Sequence, residues 1–202
     1  MTAPDTAFLE LVRQAVPEAI VETGTSRDMP SAIVDRDHLV EVCRVLRDHP
    51  ELQFSLMADM TAVDRLPAEP RFEVVYHLAC LGPASGSAPA RRMRLVVKLT
   101  AADPALSTVS GVWPAANWAE REVYDLFGIT FVSHPDLRRV LMPEDWEGHP
   151  ARKDYSVQIR KDAQTWAPVQ LTEEQFTANM KAAREHAARA ARAIAGQREQ
   201  GD

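Results

Sequence analysis

Apolar positions recur at helical spacing near the start of the chain, where Phe8, Leu9, Val12 and Val16 predict a helix over 6–16 that Pro17 closes. Two short β-rich runs follow, 18–23 and 30–35, separated by a Gly/Ser/Asp/Pro turn, which reads as a hairpin. Asp35 then caps a second helix whose inner stripe is Leu39, Val42, Cys43 and Leu46, the i, i+3, i+4, i+7 spacing of one buried face. His49-Pro50 stops it. From residue 54 the period drops to two. Phe54, Leu56, Ala58, Met60 and Ala62 alternate in the first strand-like run, Phe72 to Cys80 in the second, and Met93, Leu95, Val97 and Leu99 in the third. The last two are joined by the flexible stretch GPASGSAPA, as in an antiparallel pair. The pattern predicts a two-layer α+β fold: one mostly antiparallel or mixed sheet with helices on one face.

The character of the chain changes after that. A short helix is expected from Asn117, with Asn117 as N-cap, Glu120 closing a capping box and Gly128 ending it in the left-handed conformation. On its wheel Ala119, Val123, Leu126 and Phe127 gather on one side. Trp118, Arg121 and Asp125 fall opposite, Arg121 and Asp125 as a surface ion pair flanked by Glu120 and Glu122. Beyond it, SHPDLRRVLMPEDWEGHPARKDY carries three prolines and alternating charge, too broken for a helix or a central strand. It reads as an extended arm whose Arg138, Arg139, Arg152 and Lys153 are available to a partner's carboxylates. A polar stretch follows Tyr155, and a basic, alanine-rich helix is expected at about 172–197. Phe176, Met180, Ala183, Ala187, Ala190 and Ile194 form its thin apolar stripe, which suits either a helix lying on a partner or a frayed solvated tail. The domain reading is therefore one α+β unit over 1–155 and a C-terminal extension over 156–202.

Composition narrows the chemistry. A net charge of −6 argues against nucleic acid as the main partner. No run of about 18 apolar residues is present to span a bilayer. The first residues lack the basic start and apolar core of a signal peptide, so the expected place is the cytoplasm, any membrane association being through another protein. Two cysteines far apart, Cys43 and Cys80, read as buried thiols, and they cannot hold a four-cysteine cluster. With 8 glycines there is no GxGxxG and no phosphate loop.

The charged stretch admits two explanations, catalysis or docking. Glu122, Asp125 and His134 would be the acid–base groups of a free-standing enzyme. A metal on His134, His149 and Asp136 is conceivable, but those ligands sit on loops at unhelpful spacings. No nucleophile stands out. Tryptophan and arginine together outside a core are what protein interfaces enrich.

One resemblance is specific. EREVYDLFGITFVSHPDLRRVL is similar, position by position, to the pattern of the 30-kDa subunit family of respiratory complex I, the C-type subunits of NADH–quinone oxidoreductase (NDH-1). The residues that carry it are Glu120, Arg121, Glu122, Asp125, Leu126, Phe127, His134, Arg138, Val140 and Leu141. GHPARKDY, with His149, Arg152, Lys153, Asp154 and Tyr155, resembles the family's next element, although Ser156 stands where a proline is expected. The likeness runs more loosely back to about residue 7. It implies a subunit of a proton-translocating NADH:quinone oxidoreductase with no catalytic site or cofactor of its own, FMN and iron–sulfur clusters lying in partner subunits. The implied partners are chiefly the D (49-kDa type) and B subunits of that complex. The implied place is the cytoplasmic side of the membrane, as a peripheral part of the complex. NADH and quinone would be substrates of the whole assembly. The same subunit type occurs in related membrane-bound hydrogenases and coenzyme F420-type dehydrogenases. Trp118, Glu120 to Glu122, Asp125, His134, Arg138, Arg139 and His149 to Tyr155 are then the expected interface and motif residues.

Overall fold

In a computed structural model of the chain, residues 7–27, 29–82 and 89–156 are described, with positions 172, 174, 177, 178, 180 and 181. The chain divides after Tyr155 into two units, 1–155 and 156–202. The order in the first unit is α1 (Phe8–Ala15), β1 (Ile20–Ser26), β2 (Met29–Val34), a 3-10 turn (Arg36–His38) and α2 (Leu39–Asp48). Next come β3 (Leu56–Asp64), β4 (Phe72–Cys80), β5 (Arg91–Leu99), β6 (Ala105–Ser107), α3 (Ala116–Phe127) and β7 (Thr130–Val132). In the second unit Glu174, Thr177, Ala178, Met180 and Lys181 are helical, and the rest of the expected tail helix lies outside the described residues.

The sheet runs β1-β2-β5-β4-β3, antiparallel except where β2 lies parallel to β5. These pairings make β3 point the same way as β2. Helix α2 is thus a crossover over the sheet, and the β3–β4–β5 meander fills the space between its ends. It is a mixed α+β sheet, as the hydrophobic pattern predicts. Asp35 does cap, by accepting the Asp37 N–H at 2.9 Å, but what it caps is the 3-10 turn that leads into α2. All four stripe residues of α2, Leu39, Val42, Cys43 and Leu46, are fully buried. The alternating faces of β4 and β5 are buried with them, and Val75 and Val96 show that both faces of these central strands are covered. Trp113, ahead of α3, joins this core and donates its indole N–H to the Phe54 carbonyl at 3.0 Å.

Strand β3 departs from its expected face. A bulge between Met57 and Asp59 slips the register against β4, so Met57 is buried where Leu56 and Ala58 are exposed. Strict alternation resumes only at Met60 and Ala62, because one extra residue in a strand exchanges inward and outward side chains. The short parallel pair β6–β7 gave no periodic signal, since three residues are too few for alternation to register. It brings Thr108 beside α3. Cys43 and Cys80 are buried free thiols, and burial pushes the Cys43 thiol well up.

Candidate functional site

Helix α3 packs along β3, the end strand of the sheet. Its start differs from the expected capping box. The helix begins at Ala116, Ala115 is its N-cap, and no side chain caps it. Glu120 instead turns inward, fully buried, accepting the Thr108 hydroxyl and the Val109 N–H at 2.7 Å. That ties α3 to the β6 loop. Burial pushes the Glu120 carboxyl up to about 7, against the pull of Thr108 and Val109.

A sign follows. The folded pKa lies above the ordinary 4.5, so this group's stability is fully present below 4.5 and is lost as pH rises through about 7. The loss amounts to about 3 kcal/mol. Glu120→Gln keeps one acceptor and one donor, and its stability is expected to be flat across that window. Denaturant titrations of both proteins at pH 5 and pH 8 check this.

The expected Arg121–Asp125 surface pair does not exist, because both side chains hold the arm. Asp125 is fully buried. Its Oδ2 accepts three consecutive backbone N–H groups, Val140 at 3.0 Å and Leu141 and Met142 at 2.8 Å, and its Oδ1 accepts Arg139 at 2.6 Å. Burial alone would raise its pKa. The donors from Met142, Arg139, Val140 and Leu141 outweigh burial and hold it below the usual carboxylate range. Arg121 points to the Arg138 and Arg139 carbonyls and stacks on the Trp118 ring, 4.7 Å from its centroid.

The C-terminus of α3 closes a complete account of its last four carbonyls. The Gly128 N–H caps Tyr124, the His149 Nδ1–H donates to Asp125 at 2.9 Å, and the Ala151 N–H donates to Leu126 at 3.0 Å. The Arg152 guanidinium reaches Phe127. The segment GHPARKDY is therefore the cap of α3, with Arg152 placed where a helix dipole favours a cation. Gly128 adopts φ +70, and a Cβ there would sit 2.5 Å from the His149 ring and 2.6 Å from Arg152 Nη2. Gly128→Ala is expected to cost about 2 kcal/mol from the left-handed backbone alone, and more where His149 and Arg152 are displaced. Thermal unfolding measures it.

A second cluster pins the end of the arm to the sheet. Arg71 sits between Asp64, at 2.7 and 3.0 Å, and Asp154, at 2.7 and 2.9 Å, while the Lys153 N–H donates to Asp64 Oδ2 at 2.9 Å. Both Asp64 and Arg71 are buried. The Lys153 ammonium reaches the Leu66 carbonyl at 3.2 Å, and the Tyr155 hydroxyl reaches that of Glu147 at 3.4 Å. Arg71, Asp64 and Thr108 escaped the sequence reading: 83 residues separate Arg71 from Asp154, and no local spacing signals such a pair.

The expected acid–base groups, Glu122, Asp125 and His134, do not converge; His134 instead lies with its Nε2 3.7 Å from Glu120 Oε2, both side chains buried. Both Asp125 oxygens are engaged inside the fold. His134 accepts the Asp136 N–H at its Nδ1 (3.0 Å) and meets the Asn117 carbonyl with Nε2 (3.1 Å), the backbone-bonded turn histidine its position before Pro135 suggests. Glu122 is exposed. Among the described residues, no group of three or more His, Cys, Asp or Glu is placed to hold a metal, and no helix is long and apolar enough to cross a membrane. Arg139 and Arg152 are likewise taken up inside the chain, so of the four cations assigned to a partner, Arg138 stands most open, bonded only to Asp136 at 2.9 Å in addition to its own carbonyl's bond from Arg121. Trp118 is 64% exposed, on the outer side its helical position predicts.

Such a structure is an α+β domain whose charged motif fastens its own arm. Known proteins give the same class a family. The family described as the 30-kDa subunit of respiratory-chain NADH dehydrogenase matches residues 32–161. The C subunit of a NADH-quinone oxidoreductase from a Roseiflexus species is 45% identical over 154 residues, 76% of this chain and 85% of the relative. The corresponding subunit from Geobacter sulfurreducens is 45% identical over 148 residues, 73% of this chain and 86% of the relative. Among solved structures, a trypsin-resistant fragment of Nqo5 aligns with a TM-score of 0.53 at 30% identity, covering 64% of this chain and 98% of the fragment. A chain of a membrane-bound sulfane sulfur reductase, an archaeal respiratory membrane complex, aligns with a TM-score of 0.60 at 25% identity, covering 75% of this chain and 85% of that one. The chain belongs to the complex I 30-kDa subunit family, the family of the NADH-quinone oxidoreductase C subunits.

Proposed function

We propose that this chain is a cofactor-free structural subunit of a proton-translocating NADH:quinone oxidoreductase, scaffolding the quinone-reducing module. In this reading it packs against the D and B subunits, FMN and the iron–sulfur clusters lie in partner subunits, and the chain is a peripheral part of the complex on the cytoplasmic side of the membrane. One observation carries the reading. Most of the family's charged motif, Glu120, Arg121, Asp125, Arg139 and Arg152, is used in fixing α3 and the arm, leaving a shaped surface with Trp118 outside. A rigid surface is what a subunit that sets the distance between a cluster and a quinone needs to supply.

The test is to tag the chain in its native cell, solubilise membranes gently and assay what accompanies it. A flavin- and iron-containing assembly that reduces quinone with NADH is expected, while the isolated chain is redox-silent. A lone chain with its own activity would overturn the reading. The likeness to the sulfane sulfur reductase chain supports a second reading, an equivalent subunit of a related complex such as a membrane-bound hydrogenase or an F420-type dehydrogenase. An assembly that leaves NADH unoxidised but accepts electrons from another donor would favour it.

A further inference from the structure

Trp118 lines two grooves at once, and the grooves carry opposite charge. On one side, a groove of about 870 Å³ is walled by Val40, Val112, Pro114, Val132 and Pro135, with the exposed Arg44 as its charged lining residue. On the other, a smaller groove of about 280 Å³ is walled by Met57, Met60, Ala119 and Val140, with Asp59 and Glu122 as its charged lining residues. Both carboxylates belong to exposed residues, Asp59 with a 65% exposed side chain that has His77 Nδ1 3.5 Å away. Arg121, the cation beside Trp118, is turned toward the arm carbonyls and lines neither groove. Trp118, 64% exposed, is the ridge between the grooves, and Val132, at 52%, extends the apolar surface on the Arg44 side.

The polarity selects the occupant. A lipid surface or a nucleic acid presents one sign of charge and would meet repulsion at one of the two ends. Two copies of this chain laid antiparallel would match the charges, but would set one Trp118 ridge on the other instead of in a groove. The β3 bulge lies within the second groove and distorts the end strand there, beside α3, which disfavours addition of a partner strand and leaves recognition to side chains. We propose that the Trp118 ridge and its two grooves seat a bipolar segment of a neighbouring protein subunit. An acidic residue of that segment lies over Arg44, apolar side chains straddle Trp118, and a lysine or arginine reaches Asp59 and Glu122. This rests on the reading of the chain as a subunit and adds to it the orientation and chemistry of one contact.

The test compares full-length tagged chains in the native cell, with the assembly retained on each after washing at low and moderate salt. Trp118→Ala, Arg44→Glu and Glu122→Lys are each expected to lower retention at least tenfold. The double variant Arg44→Glu/Glu122→Lys, which keeps the net charge but makes the first groove acidic and cancels the charge of the second, is expected to be no better than either single. Glu51→Lys, an exposed change away from both grooves, is expected to retain the assembly. Because all these positions are exposed, unchanged melting temperatures of the purified chains separate lost docking from lost folding. If the reversed chains hold the assembly as well as the unaltered one, or the double variant restores binding, the inference fails and the subunit reading stands. If the unaltered chain brings down only further copies of itself, both fail.

Discussion

Asp125→Ala is expected to lower the stability of the 1–155 unit by about 4 kcal/mol, the range for removing one partner of a buried charged pair. The side chain it removes accepts Arg139 and the N–H groups of Val140, Leu141 and Met142, all in the arm. Without it a guanidinium and three peptide donors in a partly buried arm lose their acceptor, and each donor that stays unpaired costs on the order of 1–3 kcal/mol unless the arm lifts. Lifting is the cheaper response, so the loss shows first as local opening. Trypsin is expected to cut at Arg138, Arg139 and Arg152 in the variant under conditions that leave the parent intact. Asp125→Asn tests the charge separately. The amide keeps the shape but must turn its NH2 toward either the three donors or Arg139, and an intermediate loss is expected. The folded carboxyl lies below its ordinary value, so its contribution is present above the unfolded pKa and disappears as pH falls through the folded one. The parent is therefore expected to lose this stability only in acid, while the Asn variant shows no such step. A catalytic Asp125 would instead lose a chemical rate with stability intact.

The same residue shows what the chain's pattern could and could not disclose. Periodicity found α1, α2 and the three long strands because each buries one face, and burial of a face leaves a mark at every second, third or fourth position. It failed at Leu56 and Ala58, where a single bulge exchanges the faces, and at β6 and β7, which are too short to repeat. The motif around α3 was legible as a motif, and Gly128 as its left-handed end. Its geometry was not. A wheel treats every charge as wanting water, and so placed Asp125 outside with Arg121 as its mate. Glu120 and Asp125 are in fact the most deeply buried charges of the helix, which the fold tolerates because the β6 loop and the arm bring donors from residues 108–109 and 139–142. Donors supplied by peptide N–H groups have no residue type, so nothing in the composition of the arm announces them. Trp118 was legible for the opposite reason: an apolar side chain at a solvent-facing position breaks the pattern wherever it occurs.

Arg71→Met carries the other large effect, and it bears on how the arm is held at its far end. Arg71 stands between Asp64 and Asp154 with four hydrogen bonds of 2.7 to 3.0 Å, and its guanidinium also lies over the Phe72 ring at 4.8 Å. Methionine conserves much of the volume against Phe72 but leaves Asp64 buried without a cation. The Leu66 and Lys153 N–H groups still donate to Asp64, so the loss is expected at about 3 kcal/mol, toward the low end for a broken buried pair. Its pH dependence is the sharper reading. Hydrogen bonding to Arg71 is the chief cause that holds the Asp64 carboxyl well below the usual range, and Asp154 is lowered by the same partner. For a lowered carboxylate the stability is present above the unfolded pKa and is lost as pH falls through the folded one, so in the parent it survives well into acid. In Arg71→Met both carboxyls return toward ordinary values, and acid unfolding is expected to begin at a higher pH, measured by circular dichroism between pH 2 and 6. Asp154→Asn separates the two carboxylates. Asp154 is half exposed, so its loss is expected to free the end of the arm to protease with little change in global stability, because water replaces the lost acceptor. Should Asp154→Asn instead unfold the sheet as Arg71→Met does, the arm would be part of the core and not a strap fastened to it.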